Sequence, residues 1–134
     1  MDAPIPELSI PVDKVCFFVL KTREFEAKDV VTEPDPASNA TDDGMRSVLE
    51  DHRDDATQQE LVAFIDGLTE DERVDLVTLM WIGRGDGDLG DWHELRDEAA
   101  RLHTTRTAHY LLGHPLLADN LDEALARLGH RCEG

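Results

Sequence analysis

One helix-starting pattern is written twice at short range, as Thr57-Gln-Gln-Glu60 and, twelve positions later, as Thr69-Glu-Asp-Glu72. In such a box the threonine hydroxyl accepts the amide three residues on, and the glutamate reaches back to the threonine's own amide. Each box is followed by apolar residues at helical spacing: Leu61, Phe64, Ile65 and Leu68 after the first, then Val74, Val77, Met80 and Trp81 after the second. Asp91-Trp-His-Glu94 has the same logic with aspartate as the cap. It is expected to open one long helix through Leu95, Ala99 and Leu102 to Leu112, ended by Gly113. Pro115 then starts a last helix with Leu117, Leu121, Ala124, Leu125 and Leu128 inward, and Gly129 ends it.

Upstream, Pro11 fits a first helical turn, where an amide has no intrahelical partner anyway. The helix that follows runs to about Lys28, and its apolar residues Val12, Val15, Phe18, Val19 and Phe25 are expected to make it central to the fold. Asp29 to Asp43 carries Pro34 and Pro36 and reads as a long loop, since each proline removes a donor and restricts the residue before it. A short helix capped by Thr41 is expected from about Asp42 to His52. No alternating strand pattern or fixed-period repeat occurs. The expected fold is therefore all-α: a single compact domain over 1–134, of five or six helices, with one long Pro-containing acidic loop at 29–43 and a flexible start at 1–8.

At 134 residues such a domain can bury a core without help from metals or disulfides, and with aromatics at 5 % that core must be mainly aliphatic. The net charge is −17, and 15 acids against 3 bases fall between Asp29 and Asp75. A chain with no cationic stripe is not expected to bind nucleic acid phosphates or an anionic membrane surface directly. Cys16 and Cys132 form no C-x-x-C, and no leader or membrane-length apolar run is read, so a cytoplasmic protein with reduced thiols is expected.

Gly83 to Trp92, "GRGDGDLGDW", spells several motifs at once. A dinucleotide fingerprint needs a strand before it, and here a helix precedes it. Arg84-Gly85-Asp86 would matter only outside the cell. A calcium loop starting at Asp86 and Asp88 lacks glycine at its sixth position and glutamate at its twelfth. The reading that accounts for every residue is a connection between helices, with glycines turning the chain and aspartates favouring the next helix start. Asp86, Asp88, His93 and Asp97 are the candidate metal ligands, and a weakly held divalent cation is the one cofactor they would admit. His103, Arg106, His109 and Tyr110 form a polar seam that could line a pocket, and His52 reads as a core histidine. No nucleophile context surrounds any serine, so no catalytic residue is assigned.

The stretches "VCFFVLKTREFEAKDVVTEPDPASNATDDGM", "LMWIGRGDGDLGDWHELRDEAA" and "TAHYLLGHPLLADNLDEAL" resemble a small, largely proteobacterial family of unknown function, DUF3775, from about Leu8 to Leu125. The resemblance implies a bacterial, cytoplasmic protein and carries over no activity or site residues. On charge and chemistry, the expected function is a non-enzymatic interaction or regulatory module. Its acidic face, with Asp35, Asp42, Asp43, Asp54 and Asp55, would meet a basic protein surface. The alternative is a metal-dependent or small-molecule-binding enzyme that uses loop carboxylates.

Overall fold

Val74 to Ile82 is buried without a break, which makes the helix that carries it the axis of the domain. The computed structural model describes residues 6–31, 56–102 and 106–132, with no side chains described at 28–31. Its α-helices are α1 (Val12–Val31), α2 (Ala56–Asp66), α3 (Glu70–Arg84), α4 (Trp92–Leu102), α5 (Thr107–Leu112) and α6 (Leu117–Arg127), with a 3-10 turn at Leu89–Asp91. No strand occurs among the described residues. The fold is all-α, as expected. None of the described helices is long and apolar enough to cross a membrane.

α3 packs most extensively on α6 and α4, α1 packs on α6 and α2, and α2 packs on α5. The centre of the fold is thus α3, not α1 as expected. α1 buries Val15, Phe18, Val19 and Phe25 but leaves Phe17 and Leu20 each 43 % exposed. It also runs three residues beyond Lys28, so the loop expected from Asp29 begins no earlier than residue 32. The short helix expected at 42–52, and His52 on it, lie outside the described residues.

The capping pattern holds at one of its two sites. At Thr69 the box is complete: the hydroxyl accepts from the Glu72 amide at 3.1 Å, and Glu72 Oε1 accepts from the Thr69 amide at 2.9 Å. That amide, with Lys14 Nζ 3.2 Å from Glu72 Oε2, holds the Glu72 carboxyl below its ordinary range. α2 begins at Ala56, two residues before the Gln58 that a Thr57 cap would make its first helical residue, so Thr57 lies inside the first turn and is not the cap. Thr69→Ala should lower stability by about 1–2 kcal/mol, the upper part of the range for a lost N-cap, because both halves of the box go together. A shift in the urea midpoint measures it, and an unchanged midpoint would contradict the box.

The long helix expected from Asp91 to Leu112 is two helices. Arg106, at φ −107° and ψ 25°, is not helical. The physical reason lies in the spacing. At about 100° per residue, Trp92, Leu95 and Ala99 would point to roughly the opposite side of a continuous rod from Ala108, Leu111 and Leu112. Trp92, Ala99, Ala108, Leu111 and Leu112 are all buried, and the break lets the two opposed sets face one core. The Asp91 cap is also displaced: its carboxylate accepts the Asp88 amide at 2.9 Å, and the 3-10 turn runs straight into α4.

Cys16 on α1 and Cys132 beyond α6, expected as separate reduced thiols, are joined in a disulfide. Both half-buried sulfur-bearing residues pack against the apolar core.

Candidate ligand-binding cleft

The break between α4 and α5 leaves a space beside α3. Val74, Val77 and Trp81, one face of α3 at helical spacing, form its floor. Ala99 and Leu102 of α4 form one wall, and Arg106, Thr107, His109 and Tyr110 form the other. The cleft has a volume of about 360 Å³, at the lower end of the size range of small-molecule sites. Ala99 supplies little bulk, which is why the walls stand apart there. Leu102 at the rim is 58 % exposed.

The polar atoms of the cleft's aromatics are turned on each other. Trp81 Nε1 donates to Tyr110 Oη at 3.0 Å, so two apolar rings line the cleft without an orphaned indole donor. Tyr110 is held further by an edge-on contact with His114, ring centres 4.8 Å apart, while His114 Nδ1 lies 2.8 Å from the Tyr110 carbonyl oxygen. Arg84 also reaches Tyr110, and its guanidinium is pushed above its ordinary range chiefly by its hydrogen bond to Asp86. A second, shallower groove of about 230 Å³ lies between α2 and α5, lined by Gln58, Val62, Asp66, Ala108 and Leu112. Arg106 and His109 belong to both.

Sequence-derived candidates fall elsewhere. Asp86 Oδ2 accepts from Arg84 Nε at 2.9 Å and from Nη2 at 2.6 Å, so the two charged residues of Arg-Gly-Asp face each other. Asp88, His93 and Asp97 are exposed. Among the described residues no three His, Cys, Asp or Glu side chains gather as a metal would need, so these four are not brought together. Asp35, Asp42, Asp43, Asp54 and Asp55 lie outside the described residues, as does His103. Within the acidic span, Glu60 pairs with Lys21 at 3.3 Å and Glu72 with Lys14. Asp71 and Asp75 pair with Arg96 at 3.5 and 2.7 Å. Counting charges along the chain overstates how much of that charge is free. The polar seam survives in part: Arg106, His109 and Tyr110 line the cleft.

Two carboxylates were missed. Asp75 is fully buried in the middle of α3. Its Oδ2 accepts from the Ser9 amide and, at 3.3 Å, from the Ile10 amide, while Oδ1 takes Arg96 Nε. This ties the chain before α1 to α3 and α4, on a different face from the cleft's lining. The available signal was an acid inside the apolar run "RVDLVTLMWI". Glu26 of α1 sits at the start of α6, whose own cap position, Leu116, has no side-chain cap bond. Burial pushes its carboxyl up to about 7, while the Ala118 and Leu117 amides pull the other way, and its Oε2 has no partner.

A folded-state value above the ordinary 4.5 means the folded protein holds this proton more tightly than the unfolded chain. The contribution is therefore fully present below pH 4.5 and is lost as pH rises to about 7. Since Glu26 is only half-buried, the expected size is about 1 kcal/mol after solvent screening. Urea denaturation of Glu26→Gln should show the variant gaining on wild type by that amount between those pH values. A difference constant with pH would contradict the assignment.

No curated protein and no solved structure matches the chain. A family model described as a protein of unknown function, DUF3775, matches residues 58–130, a narrower span than the stretches quoted above suggest. That span contains every described residue lining the cleft and leaves out α1 and both cysteines. The chain belongs to the DUF3775 family.

Proposed function

We propose that the protein is a binding module whose cleft between α3, α4 and α5 receives a small, largely apolar molecule. The observation that carries this reading is the cleft itself. It is an apolar space of about 360 Å³ whose two aromatic residues are hydrogen-bonded to each other before any ligand arrives. Preformed apolar walls with few polar groups are what small-molecule sites have in common, and a fixed wall avoids the entropy of ordering on binding. Val74, Val77 and Trp81 also belong to the most buried helix of the domain, so the floor is rigid.

A neutral fluorescent probe, N-phenyl-1-naphthylamine, tests this directly. Its emission should rise saturably with wild-type protein. Ala99→Leu and Val77→Phe, which fill the cleft from one wall and from the floor, should each weaken binding about tenfold, or 1.4 kcal/mol. Circular dichroism of both variants checks that the fold is kept. Binding that does not saturate, or that both folded variants leave unchanged, would overturn the reading.

A further inference from the structure

Of the polar side chains that line the cleft, Arg106 and Thr107 are engaged in contacts of their own, and His109 donates or accepts according to its tautomer. Tyr110 is different, because its neighbours fix its polarity. An indole N–H can only donate, so in the 3.0 Å bond with Trp81 Nε1 the Tyr110 oxygen must be the acceptor. Arg84, which reaches the same side chain, is a donor-only group too. The hydroxyl proton is therefore left for a different partner, and among the described residues no acceptor takes it. An O–H whose oxygen already accepts is a better donor in turn. Tyr110 keeps 40 % of its surface exposed, so an arriving molecule can reach it. No aspartate, glutamate, asparagine or glutamine stands among the described lining residues to receive a ligand's own N–H groups or to neutralise a cation.

We infer that the ligand of this cleft is an uncharged apolar molecule with a carbonyl acceptor, a ketone or an ester, whose oxygen takes the Tyr110 O–H while its carbon skeleton lies against Trp81, Val77 and Ala99. The inference rests on the binding-module reading above and adds the chemical class. Charge is disfavoured at both signs. A cation would find no carboxylate in the lining. An anion would approach a chain of net charge −17 and lie unpaired against Val74, Val77 and Trp81, which is costly. Trp81 thus has two roles: its ring is floor, and its N–H holds the tyrosine oxygen so that the hydroxyl presents a donor.

Acetophenone and α-methylstyrene share one skeleton and differ by C=O against C=CH2, so together they isolate the acceptor. Each is used to displace N-phenyl-1-naphthylamine from the full chain, after the affinity of every variant for the naphthylamine has been measured. Replacing Tyr110 alone would free the Trp81 N–H to stand in for the hydroxyl. The comparison is therefore between Trp81→Phe and the double variant Trp81→Phe with Tyr110→Phe, which differ by one oxygen. The second step should weaken acetophenone about fivefold, the usual net worth of one neutral hydrogen bond, and leave α-methylstyrene unchanged. In wild type the carbonyl stretch of bound acetophenone should lie below its position in hexane, as for any hydrogen-bonded ketone, and in the double variant it should return towards that position. Equal effects on both probes, or a wild-type band at its hexane position, overturns the acceptor inference and leaves the apolar cleft standing. Should the Trp81 variants fail a circular-dichroism check of the fold, the wild-type band decides alone. Failure of the naphthylamine to bind wild type removes the binding-module reading and this inference together.

Discussion

Gly83→Ala should destabilise the domain by about 3 kcal/mol or more, beyond the usual range for one extra methyl in a core. In an ordinary helix the same change gains up to about 1 kcal/mol, because alanine is the better helix former. The sign reverses here because α3 meets α6 at this residue. A Cβ on Gly83 would lie 2.5 Å from the carbonyl carbon of Asn120 and 2.9 Å from its Cα, with the carbonyl oxygen closer still. These are backbone atoms, so no side chain can swing away, and the two helices must part. Moving α6 uncovers Leu117, Leu121 and Leu125, which are all but fully buried, and pulls the α6 amides away from Glu26. Two other glycines serve as controls. Gly85, at φ +98° with nothing near its Cβ, should cost only about 1 kcal/mol as alanine, the penalty of a left-handed residue. Gly90 has open space and no such backbone, and should be close to neutral. Urea midpoints in the order Gly90→Ala, Gly85→Ala, then Gly83→Ala at a distant last would establish the crossing. A neutral Gly83→Ala would show that α3 and α6 do not meet there.

Gly83 also marks where reading the sequence stops. Gly83 to Trp92 was expected to join two helices, and Gly85 does end α3: its amide donates to Trp81 and Ile82 carbonyls at 3.1 Å, and the Asp86 amide to Trp81 at 3.0 Å. Gly83 itself is helical, and what requires it is a backbone carbonyl 37 positions away. No local pattern contains that information. The same holds for Asp75, whose partners come from Ser9, Ile10 and Arg96. Its setting among apolar residues announced burial, but only the packing of α4 and the chain before α1 shows how that burial is satisfied. The division of α4 from α5 is a different kind of miss. The opposed apolar faces of 92–99 and 108–112 are present in the sequence, and on one straight rod they could not both face the same side of the core. Helix type, the Thr69 cap and the inward face of α6 were legible because each depends on residues within one or two turns. The cleft was legible only as a seam of Arg106, His109 and Tyr110, since its floor is supplied by α3.

Reducing the Cys16–Cys132 bond should lower stability by about 2–4 kcal/mol. The bond closes a loop across a sequence separation of 116, and a cross-link over about 100 residues has a ceiling near 4.7 kcal/mol if loop entropy in the unfolded chain is the whole effect. The two Cα atoms lie 5.3 Å apart, within the ordinary span of a disulfide, so the folded chain need not move to form it. Most of the effect should therefore fall on the unfolded state. The α1–α6 interface has other attachments, among them Arg23 to Asp119 at 2.8 Å and to Asp122 at 3.0 Å, and the Glu26 contact with the α6 amides. The reduced protein should accordingly stay folded and helical but melt earlier. Cys16→Ala, Cys132→Ala and the double variant should have nearly the same melting temperature, which a reductant should not change further. Wild type should fall towards that value only when reductant is present. Alkylation of freshly lysed cells of the native host then reports the state that matters, because cytosolic thiols are kept reduced and a closed bond would place the chain in an oxidising compartment. Identical melting of wild type with and without reductant, in protein shown by alkylation to start closed, would mean that the cross-link restrains nothing the helices do not already hold.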